Sequence, residues 1–336
     1  MTESPVVYVT REIPDIGLEM LRDECEVQVW DGKLPPSKEH IIDTLADLEA
    51  EALLCLLSDD TDGPVMDASP NLRVVSTFSV GYDHIDLPEA AERDLPVGHT
   101  PGVLTDTTAD FAWALLMTVA RRTVEGYEYV LNDEWETWGP KLLTGPDVSN
   151  ATLGVIGLGN IGYAVAKRTA GFDMDVLYSD VQQWEDREAE LRSMGVDITY
   201  TEQDDVLARS DFVSLHVPLM EATHHLIGEA ELQAMREDAI LINNSRGPVI
   251  DIEALDTALE QGWIRAAGLD VTDPEPMAAD HPLLRHEPEK LLVTPHIASA
   301  SIQTRDKMAE MAAANVLAGL EGRPLPNSAL ADAGME

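Results

Sequence analysis

Residues 152–180, TLGVIGLGNIGYAVAKRTAGFDMDVLYSD, constrain the fold of this chain more than any other stretch. They read as a short apolar strand, a glycine-rich turn, an amphipathic helix beginning near Ile161, and a second strand ending in a carboxylate. Each glycine has its own physical role. Gly157 permits the tight turn, Gly159 lets a pyrophosphate approach the backbone, and Gly162 lets helix and strand pack closely. The helix N-terminus then offers N–H groups and a positive dipole end to phosphates. Asp180 sits where a carboxylate can accept hydrogen bonds from an adenosine ribose. A purely structural strand–helix–strand unit would not account for that acid, so the stretch predicts a dinucleotide site.

Composition sets the surroundings of that site. The chain has 336 residues, more than one ordinary core accommodates, which implies two domains. Acidic residues number 62 and basic residues 22, a formal charge of −40. Such a surface repels nucleic acid and anionic membranes, so neither is expected as a partner. The acids are spread along a chain that is 44% hydrophobic, which is unlike an acidic disordered tail. The expectation is adaptation to a very salty cytoplasm. At molar salt the Debye length falls to about 3 Å, and the self-repulsion of the fold is screened.

Cys25 and Cys55 have neither metal-site spacing nor the density of a disulfide scaffold, and they read as buried thiols in a reducing compartment. The N-terminus enters the strand-like PVVYVT directly, and the longest apolar run, 111–120, is too short to span a bilayer. Cytoplasmic residence is expected. No metal site is expected.

Strand patterns at 6–10, 26–30, 52–57, 73–78 and 96–99 alternate with helical ones, among them 37–48 with Ser37 as its N-cap. A long helical pattern covers 104–122, and an aromatic-rich segment, NDEWETWGP, follows. A second alternating series has strands at 152–156, 175–178, 212–215, 239–243, 266–269 and 291–294, and a last helix covers about 301–320. Alternation of this kind implies parallel sheets covered by helices. The second series is complete without the last helix, so that helix is expected to return to the first domain. The predicted fold is α/β, with two doubly wound parallel sheets. A Rossmann-type dinucleotide domain (101–299) is inserted in a flavodoxin-like substrate domain (1–100 and 300–336), with the active site in the cleft between them.

Ligands of such sheets lie beyond the carboxyl ends of the strands, where three polar motifs fall. In INNSRGPVID, Gly247 and Pro248 turn the chain and leave Arg246 at a strand end, suited to two-point capture of a carboxylate. In GLDVTDPEP, Asp270 can reach a ribose or nicotinamide, and Glu275 is restrained between two prolines. In VTPHIASAS, Pro295 fixes the approach to His296. His216, His224 and His225 have the contexts of caps or surface positions. Taken singly, Arg246 reads as a surface ion pair, Glu275 as a solvated acid and His296 as structural. At consecutive strand ends beyond a dinucleotide turn they form one constellation. The carboxylate favours imidazolium and raises the histidine pKa, the guanidinium anchors an acid, and a nicotinamide delivers hydride. That chemistry is reduction of a 2-oxo acid.

The motifs SVGYDHIDL, TPGVLTDTTADFAWALL, GLGNIG, SDFVSLHVPL, INNSRGPVID, AAGLDVTDPEP and LLVTPHIASAS resemble, in order, those of the D-isomer-specific 2-hydroxyacid dehydrogenases, over about residues 50–325. EWETWGPKLLTGPDV is most similar to the glyoxylate/hydroxypyruvate reductases of that family. The resemblance implies that Arg246 binds the substrate carboxylate, that His296 is the acid/base and that Glu275 is its partner, with a D-2-hydroxy acid as product. It implies that Val80 and Gly81 offer backbone N–H groups to the substrate. It implies that Thr108, Asn160, Ile161, Val217, Asn244, Ser245, Asp270, His296 and Ser299 line the cofactor site with Gly157, Gly159, Gly162 and Asp180. It also implies a homodimer in which Trp138 reaches the partner's active site. A D-lactate- or phosphoglycerate-type dehydrogenase is the nearest alternative, and a nicotinamide-sensing protein without turnover is another. Asp180, with no cation at 181–183 and Arg187 the nearest arginine downstream, predicts NAD as preferred cofactor and NADP as possible.

Overall fold

The computed structural model describes residues 4–335, so residues 1–3 and 336 of the expected substrate domain lie outside it. The chain divides into two compact units. One holds the residues up to Leu104 and those from Ala300 onward, and the other is Thr105–Ser299.

The first unit contains a five-stranded parallel sheet of β1 (Val6–Val9), β2 (Glu26–Val29), β3 (Ala52–Cys55), β4 (Val74–Thr77) and β5 (Val97–Gly98), in the order β2-β1-β3-β4-β5. This is the flavodoxin-like order. β3 and β4 are buried along their whole length, which is why β3 reads as an unbroken apolar run and β4 carries only the small polar residues Ser76 and Thr77 after its two valines. The helix Ile302–Leu320 packs on this sheet and on the helix Asp15–Glu24, as expected for a return to the first unit. Two glycines allow the approach: a Cβ at Gly319 would stand 2.5 Å from Val74, and one at Gly17 2.8 Å from Ala309. The chain does not end there. A short helix, Ala329–Asp332, capped by Ser328, follows and packs beside β5. Four residues are too few for a periodic sequence signal.

The second unit contains a seven-stranded parallel sheet. Its strands are β6 (Thr152–Ile156), β7 (Asp175–Ser179), β8 (Asp197–Tyr200), β9 (Phe212–Leu215), β10 (Ile240–Asn243), β11 (Ala266–Leu269) and β12 (Leu291–Val293). The order β12-β11-β10-β9-β6-β7-β8 reverses at β6, the switch point of a Rossmann sheet. The sequence reading passes over β8, which lies at the edge and alternates exposed and covered residues. The helix Thr105–Ala120 covers one face, with Leu115 and Val119 against Gly268 of β11. No helix among the described residues is long and apolar enough to cross a membrane. Cys25 and Cys55 are buried free thiols, and burial pushes Cys55 up to about 12.

Candidate active site

The glycine turn leaves β6 at Gly157, whose backbone is left-handed at φ +90°. A side chain there would also meet the His216 carbonyl at 2.8 Å. A Cβ on Gly159 would enter open space, so this position is clear for a ligand. At Gly162 a Cβ would lie 2.0 Å from the Gly157 carbonyl and 3.2 Å from Val155. The close contact is therefore with the turn itself, and only secondarily with the strand. The helix begins one residue earlier than expected, at Asn160, with Gly159 as its N-cap. Ile161 packs against the adjoining core. Asp180 follows β7 directly. Its carboxylate accepts the N–H of Leu158 and of Val181, each at 2.7 Å. The acid expected to meet a ribose thus also anchors the turn.

Val217 lies against this turn, its side chain 3.0 Å from where a Gly157 Cβ would stand. His216, just before it, is neither cap nor surface residue: its Nε2 is 2.8 Å from Ser214 Oγ, and burial lowers its pKa to about 3. His224 and His225 are exposed and stacked, with centroids 4.0 Å apart. Thr108 and Asn244, distant in sequence, meet through a 3.0 Å bond from Asn244 Nδ2 to the Thr108 carbonyl. Asn244 Oδ1 is buried with no hydrogen-bond partner, as expected of a group that receives a donor from a ligand.

Beyond β10, buried Asn243 shapes the turn. Its Oδ1 accepts from the N–H and hydroxyl of Ser245 at 3.0 and 2.8 Å, and its Nδ2 donates to the Arg246 carbonyl at 2.9 Å. Arg246 Nη1 donates to the Ser245 carbonyl at 2.9 Å. Gly247 comes so near the next loop that a Cβ would stand 1.9 Å from the Thr272 carbonyl. Only glycine permits that approach, which brings the Arg246 turn against the segment leading to Glu275.

Beyond β11, Asp270 is 1% exposed and organises the turn after β12. Its Oδ1 accepts from Thr294 Oγ1 at 2.6 Å and Ile297 N–H at 2.9 Å, and its Oδ2 from Ala298 N–H at 2.7 Å. Burial raises its pKa, opposed by those three donors. Its carbonyl accepts the His296 N–H at 2.8 Å. His296 is held in the left-handed region, at φ +54°. In that posture its Nδ1 lies 2.6 Å from Glu275 Oε1. The peptide bonds joining Asp273 to Pro274 and Glu275 to Pro276 are cis, and the Thr272 N–H donates to Glu275 Oε2 at 3.3 Å. Burial acts to raise Glu275, but the His296 bond and charge, the Thr272 N–H and the nearby Arg246 hold it below the usual carboxylate range. An ionised Glu275 accepts only, so Nδ1 carries a proton and Nε2 is the nitrogen left to exchange one. Ser299 is half-buried three residues further on.

Arg246, Glu275 and His296 are thus brought to neighbouring strand ends of one sheet. In the first unit, the Val80 carbonyl lies 2.9 Å from His99 Nδ1, and the Gly81 carbonyl accepts from Ser79 Oγ at 2.6 Å. Trp138 is 77% exposed, on the segment after the helix Thr123–Leu131. The sequence reading misses Asn243, Thr294 and the anchoring half of Asp180's role. Only the doubled asparagine of INNSRG hints at the first. Among the described residues, no group of three or more His, Cys, Asp and Glu side chains is placed to hold a metal ion.

Residues 113–298 match the NAD-binding domain of the D-isomer specific 2-hydroxyacid dehydrogenases. A glyoxylate reductase of Thermofilum pendens is 48% identical over 324 residues, covering 96% of this chain and 93% of that protein. A Thermus thermophilus protein of known structure superposes with a TM-score of 0.88 at 43% identity, covering 96% of this chain and 99% of its own. The NADPH-dependent glyoxylate/hydroxypyruvate reductase of Sinorhizobium meliloti, solved with NADP and malonate, gives 0.83 at 28% identity, with 97% of each chain covered.

Proposed function

The chain belongs to the D-isomer-specific 2-hydroxyacid dehydrogenase family and is an oxidoreductase with an NAD-binding domain, and on that premise we propose that it reduces a small 2-oxo acid of the glyoxylate/hydroxypyruvate type to the D-2-hydroxy acid. The observation that carries the reading is the 2.6 Å contact between His296 Nδ1 and a Glu275 whose ionised form is favoured. A carboxylate so placed fixes the imidazole tautomer, which suits Nε2 to give a proton to a carbonyl oxygen. The guanidinium of Arg246 suits two-point binding of the substrate carboxylate. Val80 and Gly81 would offer backbone N–H groups to the substrate.

Gly157, Gly159, Asn160, Ile161, Gly162, Asp180, Val217, Thr108, Asn244, Ser245, Asp270, His296 and Ser299 are the residues that would hold the cofactor. The clear space at Gly159 and the unpartnered Asn244 Oδ1 fit such a group. When bound, the nicotinamide supplies hydride to the keto carbon. Preference for NADH is supported by Asp180, since a carboxylate near 4 Å from a 2′-phosphate costs on the order of 1–4 kcal/mol. It is supported too by Arg187, whose guanidinium is already bonded to Leu158 and Asn160. NADPH would be accepted weakly. A homodimer fits the helix Thr123–Leu131, which buries none of its residues and leaves Tyr127, Val130 and Leu131 exposed near Trp135 and Trp138. Cytoplasmic residence belongs to the same reading.

The test is a panel of 2-oxo acids assayed with NADH and NADPH by loss of reduced-nicotinamide absorbance. The highest kcat/KM is expected with glyoxylate or hydroxypyruvate and NADH. Binding of NADH without oxidation by any member would mark a sensor, and higher kcat/KM with NADPH would overturn the coenzyme preference.

A further inference from the structure

The segment after β7 commits several side chains to one local network. The hydroxyl of fully buried Tyr178 donates to Glu188 Oε1 at 2.7 Å and accepts the Trp184 N–H at 2.9 Å. Gln183 Nε2 donates to the same Glu188 oxygen at 2.9 Å, and Arg192 stands 2.9 Å from the other. Burial acts to raise Glu188, but these donors together hold it below the usual carboxylate range. The start of the helix Glu185–Ser193 is thereby fixed to β7, and the direction of Arg187 with it.

The guanidinium of Arg187 lies 4.6 Å from the Trp184 ring and 5.8 Å from that of Tyr163. It reaches back to the glycine turn: Nη1 donates to the Leu158 carbonyl at 2.5 Å and Nη2 to Asn160 Oδ1 at 2.9 Å. Leu158 is also the residue whose N–H is taken by Asp180 at 2.7 Å. The one residue between the two turn glycines is therefore held by a carboxylate at its N–H and by a guanidinium at its C=O.

We propose that Arg187 is a positioning residue of the dinucleotide site: acting with Asp180, it presets the glycine turn for the pyrophosphate and is not a ligand of a coenzyme 2′-phosphate. The proposal rests on the reading that this turn takes a nicotinamide dinucleotide. Gly157 and Gly159 give the turn wide backbone freedom, which the two charges, with the buried Leu158 side chain, remove before a ligand arrives. Without the clamp, ordering falls to the binding step and weakens every dinucleotide alike. An ammonium cannot make both contacts of the fork, so lysine is a poor replacement.

The experiment is equilibrium titration of Arg187→Ala, Arg187→Lys and Asn160→Ala with NADH and with NADPH, read by nicotinamide fluorescence. Steady-state kinetics and thermal melts accompany it. Arg187→Ala should weaken both coenzymes by the same factor, about tenfold, with kcat at saturating NADH unchanged. Lysine should restore little, and Asn160→Ala should show a smaller loss of the same even-handed kind. A loss confined to NADPH would make Arg187 a phosphate ligand and overturn the proposal. A lowered Tm with unchanged affinity would reduce it to a brace for the fold, overturning the proposal equally. An unmodified enzyme that binds NADH but reduces no 2-oxo acid would sink the proposed reaction alone, because the titrations still decide the role of Arg187.

Discussion

At His296 the imidazole Nδ1 is tied to Glu275, and Nε2 is the nitrogen left for proton exchange. Replacing it by alanine is expected to lower turnover by about 10²–10⁴-fold, the usual worth of a positioned acid/base. NADH affinity should change little, because the glycine turn and Asp180 do not depend on that ring. A loss of affinity equal to the loss of rate would leave His296 a role in cofactor binding alone. His216 carries a different consequence. Its folded pKa is lowered from 6.5 to about 3, so it contributes stability that is complete above 6.5. Below that value the unfolded chain takes a proton that the folded chain refuses, and stability falls with pH until about 3. The slope from this one group is at most about 1.4 kcal/mol per pH unit. Urea melts across that range should show the slope reduced in His216→Asn. An unchanged slope would assign the acid sensitivity to other groups.

Among the elements, the turn between β6 and the helix Asn160–Arg168 tolerates little added volume. Gly162→Ala sets a methyl 2.0 Å from the Gly157 carbonyl, where only backbone movement can make room. A loss of about 1–3 kcal/mol in urea unfolding is expected, together with weaker NADH binding. Wild-type affinity in that variant would show that the turn adapts. β6, β9 and β11 are legible in the sequence because strands covered on both faces are mostly apolar. β8 is not, because an edge strand with one covered face gives a weak signal over four residues. In the site, Arg246, Glu275 and His296 are legible because each follows a strand. Asn243 and Arg187 are not, because their meaning lies in acceptors chosen by the folded backbone. Asp180 is half legible: its place is encoded, and its bond to Leu158 is not.

On the scale of the whole molecule, charge dominates. With 62 acidic residues against 22 basic, we propose that the folded surface needs salt screening to stay compact. Dialysis from molar to tens of millimolar salt lengthens the Debye distance from about 3 Å to well over 10 Å. A lower Tm and lost activity are expected. A Tm independent of salt would refute the halophilic reading. The exposed indole of Trp138 belongs to the same scale, since a monomer gains nothing from it. On the proposed homodimer, Trp138→Ala is expected to change the ratio of activity on glyoxylate and hydroxypyruvate while sedimentation reports the same dimer for the variant as for the unmodified protein. Dissociation with the ratio unchanged would make the tryptophan simple interface packing.

The left-handed backbone at His296 sets durability against chemistry at a single position. Glycine would adopt the same φ without strain, and a histidine held there costs about 1–3 kcal/mol. On the proposed reaction, glycine here would give a less strained turn and no proton donor. The strained backbone is then a cost that the chemistry proposed for His296 imposes on the fold.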